Sequence, residues 1–90
     1  MDPADIPSLP RGVRVQRDTV RETWVLLAPE RTVTLDDIAH AILSEVDGKA
    51  SFGAITARLA ARYQAPEDQI AKDAAGFLGA LRDRRFLDVA

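Results

Sequence analysis

The chain has 90 residues, 47% of them hydrophobic, with 12 Lys+Arg against 14 Asp+Glu and a net charge of −2. That length and apolar content suit one domain with its own core. The lack of cysteine excludes a disulfide framework and a zinc–thiolate site, and the balanced charge lacks the basic footprint of a dedicated nucleic-acid binder.

Residues 1–12 hold Pro3, Pro7 and Pro10 with no hydrophobic period. They read as a flexible Pro-rich arm, mobile or laid along the body, ahead of a domain over 13–90. This N-terminus has no basic segment followed by an apolar one, and no apolar run reaches about 18 residues. The expectation is a cytoplasmic protein with no membrane partner.

From Val13 apolar and polar residues alternate, and Val20–Ala28 is rich in β-branched, aromatic and apolar side chains. Strands are expected near 13–17, 20–28 and 31–35, joined as a meander. Pro29 suits the first central position of a type I turn, where its fixed φ fits and no ladder N–H is needed. Residues 11–31 carry Arg11, Arg14, Arg17, Arg21 and Arg31 against Asp18, Glu22 and Glu30. This reads as a solvated strand face or as a mild attraction for an acidic peptide.

Thr34 or Asp36 can cap a first helix, whose apolar face is Leu35, Ile38, Ala39, Ile42, Leu43 and Val46, closed by Asp47-Gly48. Ser51 can cap a second, with Phe52, Ile55, Leu59 and Tyr63 on one stripe. A third starts at Pro66 with Glu67 and Asp68 in its first turn, and its stripe is Ile70, Ala74, Phe77, Leu78 and Leu81. Phe86–Val89 reads as a short last strand or an extended tail. The order is β-β-β-α-α-α: an α+β fold, a small antiparallel meander followed by three helices, winged-helix-like.

The chemistry-bearing residues form no catalytic pattern. One histidine and no cysteine exclude Cys-His arrangements, and no phosphate-cradling glycine motif is present. His40 reads as a surface residue beside Asp36 and Asp37. No enzyme activity, cofactor or metal site is indicated. Trp24 reads as a cover for the small sheet, or as an exposed anchor for a partner. Gly76 and Gly79 beside Phe77 suggest that something packs closely on the third helix, either another helix or a ligand in a shallow groove. The acidic first turn of that helix would repel a DNA backbone, which counts against a winged-helix DNA-binding regulator.

The sheet edge is the remaining candidate. An uncovered strand offers N–H and C=O groups to another chain. An extended peptide could pair with Arg31, Thr32, Val33, Thr34 and Leu35 and bury apolar side chains against Ile70, Phe77 or Leu81. The same edge could instead build a homodimer, making the chain a self-associating structural module.

Several segments together carry a resemblance: LLAPER at Leu26–Arg31, L-x-x-I-A-x-x-I-L at Leu35–Leu43, Asp47-Gly48, and D-x-x-x-F-L-x-x-L at Asp73–Leu81. In combination, and over nearly the whole chain from Pro7, they resemble the PqqD family of pyrroloquinoline quinone biosynthesis. Ala74 and Val46 depart from it by small apolar exchanges. The resemblance implies a non-catalytic peptide chaperone, a RiPP recognition element that binds the precursor peptide PqqA and delivers it to the radical-SAM enzyme PqqE. It places the added peptide strand on Arg31–Leu35 and the opposite wall on Asp73, Phe77 and Leu81.

Overall fold

A computed structural model describes residues 1–90 as five strands and three helices. In chain order these are β1 (Pro7–Ser8), β2 (Arg14–Asp18), β3 (Thr23–Ala28), β4 (Arg31–Leu35), α1 (Asp37–Ser44), α2 (Phe52–Tyr63), α3 (Glu67–Asp83) and β5 (Asp88–Val89). The expected α+β meander-then-helices order is present. β2, β3 and β4 form an antiparallel sheet in that order, while β1 pairs with β5 in a separate two-stranded ribbon.

Alternation sorts the sheet into two faces. Leu26 pairs with Val33, and Trp24 with Leu35, on the side covered by the helices. Val25 with Thr34, and Leu27 with Thr32, fall on the other side. Leu26, Ile55, Ala74, Leu78 and Phe86 have no exposed surface and form the centre of the core. On α3, Ala74, Leu78 and Leu81 are buried at helical spacing, while Ile70 and Phe77 lie half-buried beside them.

Helix ends follow local chemistry. The Asp36 carboxylate accepts the Ala39 N–H at 2.7 Å and the Ser51 hydroxyl accepts that of Ala54 at 3.2 Å. These side chains satisfy donors that have no partner inside their helices. The N-terminal segment serves α2 in the same way: the Asp5 carbonyl accepts the Phe52 N–H at 2.7 Å, and the Pro3 carbonyl accepts that of Gly53 at 2.9 Å. Ile6 and Ala90 exchange two backbone bonds of 2.9 Å, and Pro7 is buried. Residues 1–12 are thus laid along the body.

Several local expectations need correction. α1 stops at Ser44, with Glu45 as its C-cap, so Asp47-Gly48 belongs to the following loop. There Asp47 accepts the Lys49 and Ala50 N–H groups at 2.8 Å each. These bonds, that from Ala50 first, hold its carboxyl below the ordinary 3.8. β3 begins at Thr23 because Thr19–Glu22 forms the loop, where Asp18 accepts two backbone N–H groups. The turn after β3 has Glu30 at φ 63°, the sign of a type II turn and not of the expected type I. Ile38 and Tyr63 leave their helices' buried stripes, being 70% and 52% exposed. Nothing lies within 4 Å of a Cβ built at Gly76 or Gly79, so these glycines admit no close helix contact.

Two stability outcomes follow. Gly76→Ala and Gly79→Ala each raise stability by about 0.5–1 kcal/mol, since a helix-interior methyl is gained at no steric cost. Glu30→Val lowers it by about 1 kcal/mol, because a β-branched residue resists the left-handed region, whereas Glu30→Gly does not. Urea unfolding midpoints of the four variants measure both.

Candidate functional site: the edge of β4 and the groove beside α3

A two-residue turn joins Ala28 to Arg31, and this fixes which backbone groups of β4 face the edge. The residues flanking such a turn form a hydrogen-bonded pair, and pairs of that kind alternate along an antiparallel ladder. Arg31, Val33 and Leu35 therefore bond to β3, while the N–H and C=O groups of Thr32 and Thr34 point outward. No other strand lies beyond β4, which ends the sheet order. Its neighbours on that side are the helices.

Two recesses adjoin there. One, of about 240 Å³, is lined by Thr34, Asp36, Ile38, Ala39, Ile42, Asp73 and Phe77, and so lies between the end of β4, α1 and α3. The second, of about 230 Å³, sits among the three helices, with Ile38, Ile42 and Asp73 shared and Leu59, Tyr63 and Ile70 beyond. The lining is mostly apolar. An apolar side chain entering either recess would leave water, at about 25 cal/mol per Å².

The sequence-expected residues separate into groups. Thr34, Asp73 and Phe77 meet in the first recess, and Ile70 joins Asp73 in the second. Val33 is half-buried against the core, whereas Leu35 and Leu81 are each 3% exposed and belong to it. Leu81 is therefore no open wall for a ligand. The Thr32 side chain lines a shallow depression on the opposite face of the sheet.

Arg31 lies elsewhere, at the far end of the edge. Its Nη1 donates to the Arg84 carbonyl at 2.8 Å, and its guanidinium stands 4.2 Å from the centroid of the buried Phe86 ring. This cation–π contact ties the start of β4 to the end of α3. Arg84 approaches the same ring at 5.2 Å.

Sequence reasoning missed three contributors. Ile38 was expected in the core, but the phase of the short helix α1 turns it into the groove. Asp36 both caps α1 and lines the recess. His40, expected at the surface, is half-buried and stacks on Trp24 with centroids 4.1 Å apart and planes 10° from parallel. Trp24 is thereby half-covered, with Arg17 at 5.7 Å from its ring. Only an aromatic pair in neighbouring elements signalled this contact. No group of three or more histidine or acidic side chains is arranged to hold a metal, and no helix is long and apolar enough to cross a membrane.

Comparison with known proteins agrees with this architecture. The family model of coenzyme PQQ synthesis protein D (PqqD) matches residues 23–87. The PqqA binding protein of Rhizobium meliloti is 42% identical over 86 residues, covering 96% of this chain and 88% of that one. Its counterpart in Xanthomonas euvesicatoria is 46% identical over 81 residues, covering 90% and 88%. The bifunctional coenzyme PQQ synthesis protein C/D of Methylorubrum extorquens is 45% identical over 85 residues, 94% of this chain but 23% of that longer one.

Solved structures extend the likeness to the fold. The solution structure of the PqqD truncation of Methylobacterium extorquens PqqCD, described as a functional and stand-alone RiPP recognition element, superposes with a TM-score of 0.83 at 44% identity. It covers 97% of this chain and 93% of its own. The crystal structure of PqqD from Xanthomonas campestris gives a TM-score of 0.63 at 42% identity, covering 90% of each. Sequence and fold agree over almost the full length, and the chain belongs to the PqqD family.

Proposed function

We propose that this chain is a non-catalytic peptide chaperone of pyrroloquinoline quinone biosynthesis, which binds the precursor peptide PqqA by strand addition and presents it to the radical-SAM enzyme PqqE in the cytoplasm. The observation that carries the reading is the unpaired edge of β4 beside an apolar groove. Thr32 and Thr34 supply outward donors and acceptors, and Ile38, Ile70 and Phe77 supply apolar surface. Main-chain bonds of this kind give affinity with little sequence demand, and the recesses give selectivity. Support also comes from the relatives named as PqqA binding proteins and from the neighbour described as a RiPP recognition element. The fused C/D relative places a matching segment in one chain with another protein of PQQ synthesis.

A self-associating module is the competing reading, since β2 and β4 both end the sheet. The two readings give different results in solution. With synthetic PqqA added, the largest amide chemical-shift changes are expected at Thr32, Thr34, Asp73 and Phe77. Changes confined to β2 or α2 would contradict strand addition at β4. Self-association predicts a mass that doubles with concentration in light scattering, without peptide.

Thr34→Pro is the sharper test. It deletes one outward donor and leaves the β3 ladder intact, and proline is tolerated on an edge strand when its nitrogen faces away from the sheet. The variant is expected to stay folded and to bind PqqA about tenfold more weakly, from a lost hydrogen bond and the ring's bulk. Val33→Pro removes a bond to β3 instead, and is expected to lower stability. Calorimetric titration and thermal unfolding of both variants check the pair.

A further inference from the structure

The edge of β4 and the α3 segment beside it carry opposite charges at their two ends. Thr34 lies with Asp73 and Phe77, whereas Arg31 lies with Arg84. The strand and the helix therefore run antiparallel along the groove. At the first end stand the carboxylates of Asp36 and Asp73. At the other, the guanidiniums of Arg31 and Arg84 flank one Phe86 ring, 4.2 and 5.2 Å from its centroid.

None of these four charges is neutralised within the chain. The ion pairs present are Arg21–Asp18 and Arg58–Glu45. Asp36 accepts only the Ala39 N–H, and Asp73 only the Gln69 side-chain amide. Arg31 uses one guanidinium donor on the Arg84 carbonyl, which leaves further N–H groups free. Two cations held against one ring repel each other, and an arriving carboxylate would relieve that repulsion. The span from Asp73 to Arg84 is roughly 16 Å at the helical rise, which matches about five residues of extended peptide. At the acidic end Ile38 and Phe77 add apolar surface beside the two carboxylates, and Phe77 lies one helical turn further along α3 towards Arg84 than Asp73.

Building on the strand-addition reading, we infer that the groove is an electrically polarised peptide site. It accepts an extended segment with an acidic side chain at Arg31 and Arg84, and a basic one about four or five residues away at Asp36 and Asp73. The order of those two charges in the peptide then sets its direction. Acidic before basic runs parallel to β4, and basic before acidic runs antiparallel.

The test is a charge-reversal cycle at low salt, where exposed pairs are least screened. Synthetic PqqA is titrated against the full chain and against Arg84→Glu and Asp73→Lys, both exposed positions. The titrations are repeated with each charged residue of the peptide reversed in turn, and thermal unfolding verifies that the variants are folded. Each variant is expected to weaken binding about fivefold, the scale of one exposed ion pair. Reversing one particular acidic residue of the peptide restores Arg84→Glu, and reversing one particular basic residue restores Asp73→Lys.

Changes below about twofold throughout, with PqqA still bound at β4, would overturn the polarity and leave strand addition standing. Losses that no reversal in the peptide rescues would also overturn it, since they report only overall charge. If PqqA does not bind, or binds Thr34→Pro as tightly as the parent, strand addition fails and the polarity falls with it.

Discussion

The two-residue turn at Pro29-Glu30 decides what β4 can offer to another chain. Because Ala28 pairs with Arg31, the hydrogen-bonding parity of every later residue follows, and Thr32 and Thr34 become the outward ones. A turn one residue longer would slip the register and exchange the two faces. Val33 and Leu35 would then leave the core side, and the threonines would enter it. The left-handed φ of Glu30 is the local strain that accompanies this register.

That register is held from both ends of the strand. Leu35 is buried, and Asp36 immediately begins the cap of α1, so the C-terminal end of β4 cannot move without unseating a helix. At the other end Arg31 joins the Arg84 carbonyl and the Phe86 ring. The Trp24–His40 stack adds a third link, from β3 to α1. Together these contacts keep the edge rigid while leaving its backbone free. An edge held in this way would lose little conformational entropy on pairing with another strand.

The rest of the molecule supports this arrangement from behind. Residues 3–5 lend carbonyls to the first turn of α2, and the β1–β5 ribbon joins the two chain termini beside the core. α3, whose buried face is Ala74, Leu78 and Leu81, is thereby left with Ile70, Asp73 and Phe77 along the groove. Gly76 and Gly79 face open space on the same helix. Their lack of side chains does nothing for packing within the chain.

The sequence by itself determined the order of the three-stranded meander and the three helices, the Ser51 cap, most of the buried helix faces and the family. Each of these depends on neighbours close in the chain: a period of two or 3.6, a capping side chain, or a run of matched motifs. It left the first cap between Thr34 and Asp36, and it did not show β1. It also singled out Arg31–Leu35 as an edge and Asp73 and Phe77 as companions to it. Only the tertiary structure decided which of those residues meet. Periodicity cannot give the rotation of a short helix, so Ile38 was read as core when it faces the groove. Nor does it show which part of the α3 stripe the rest of the chain covers, and Leu81, read as groove wall, is buried. Nor could local pattern show that the arm caps α2, that His40 stacks on Trp24, or that Arg31 meets Arg84. These contacts join residues distant in sequence, and their geometry is fixed by how the sheet and helices pack rather than by either segment alone.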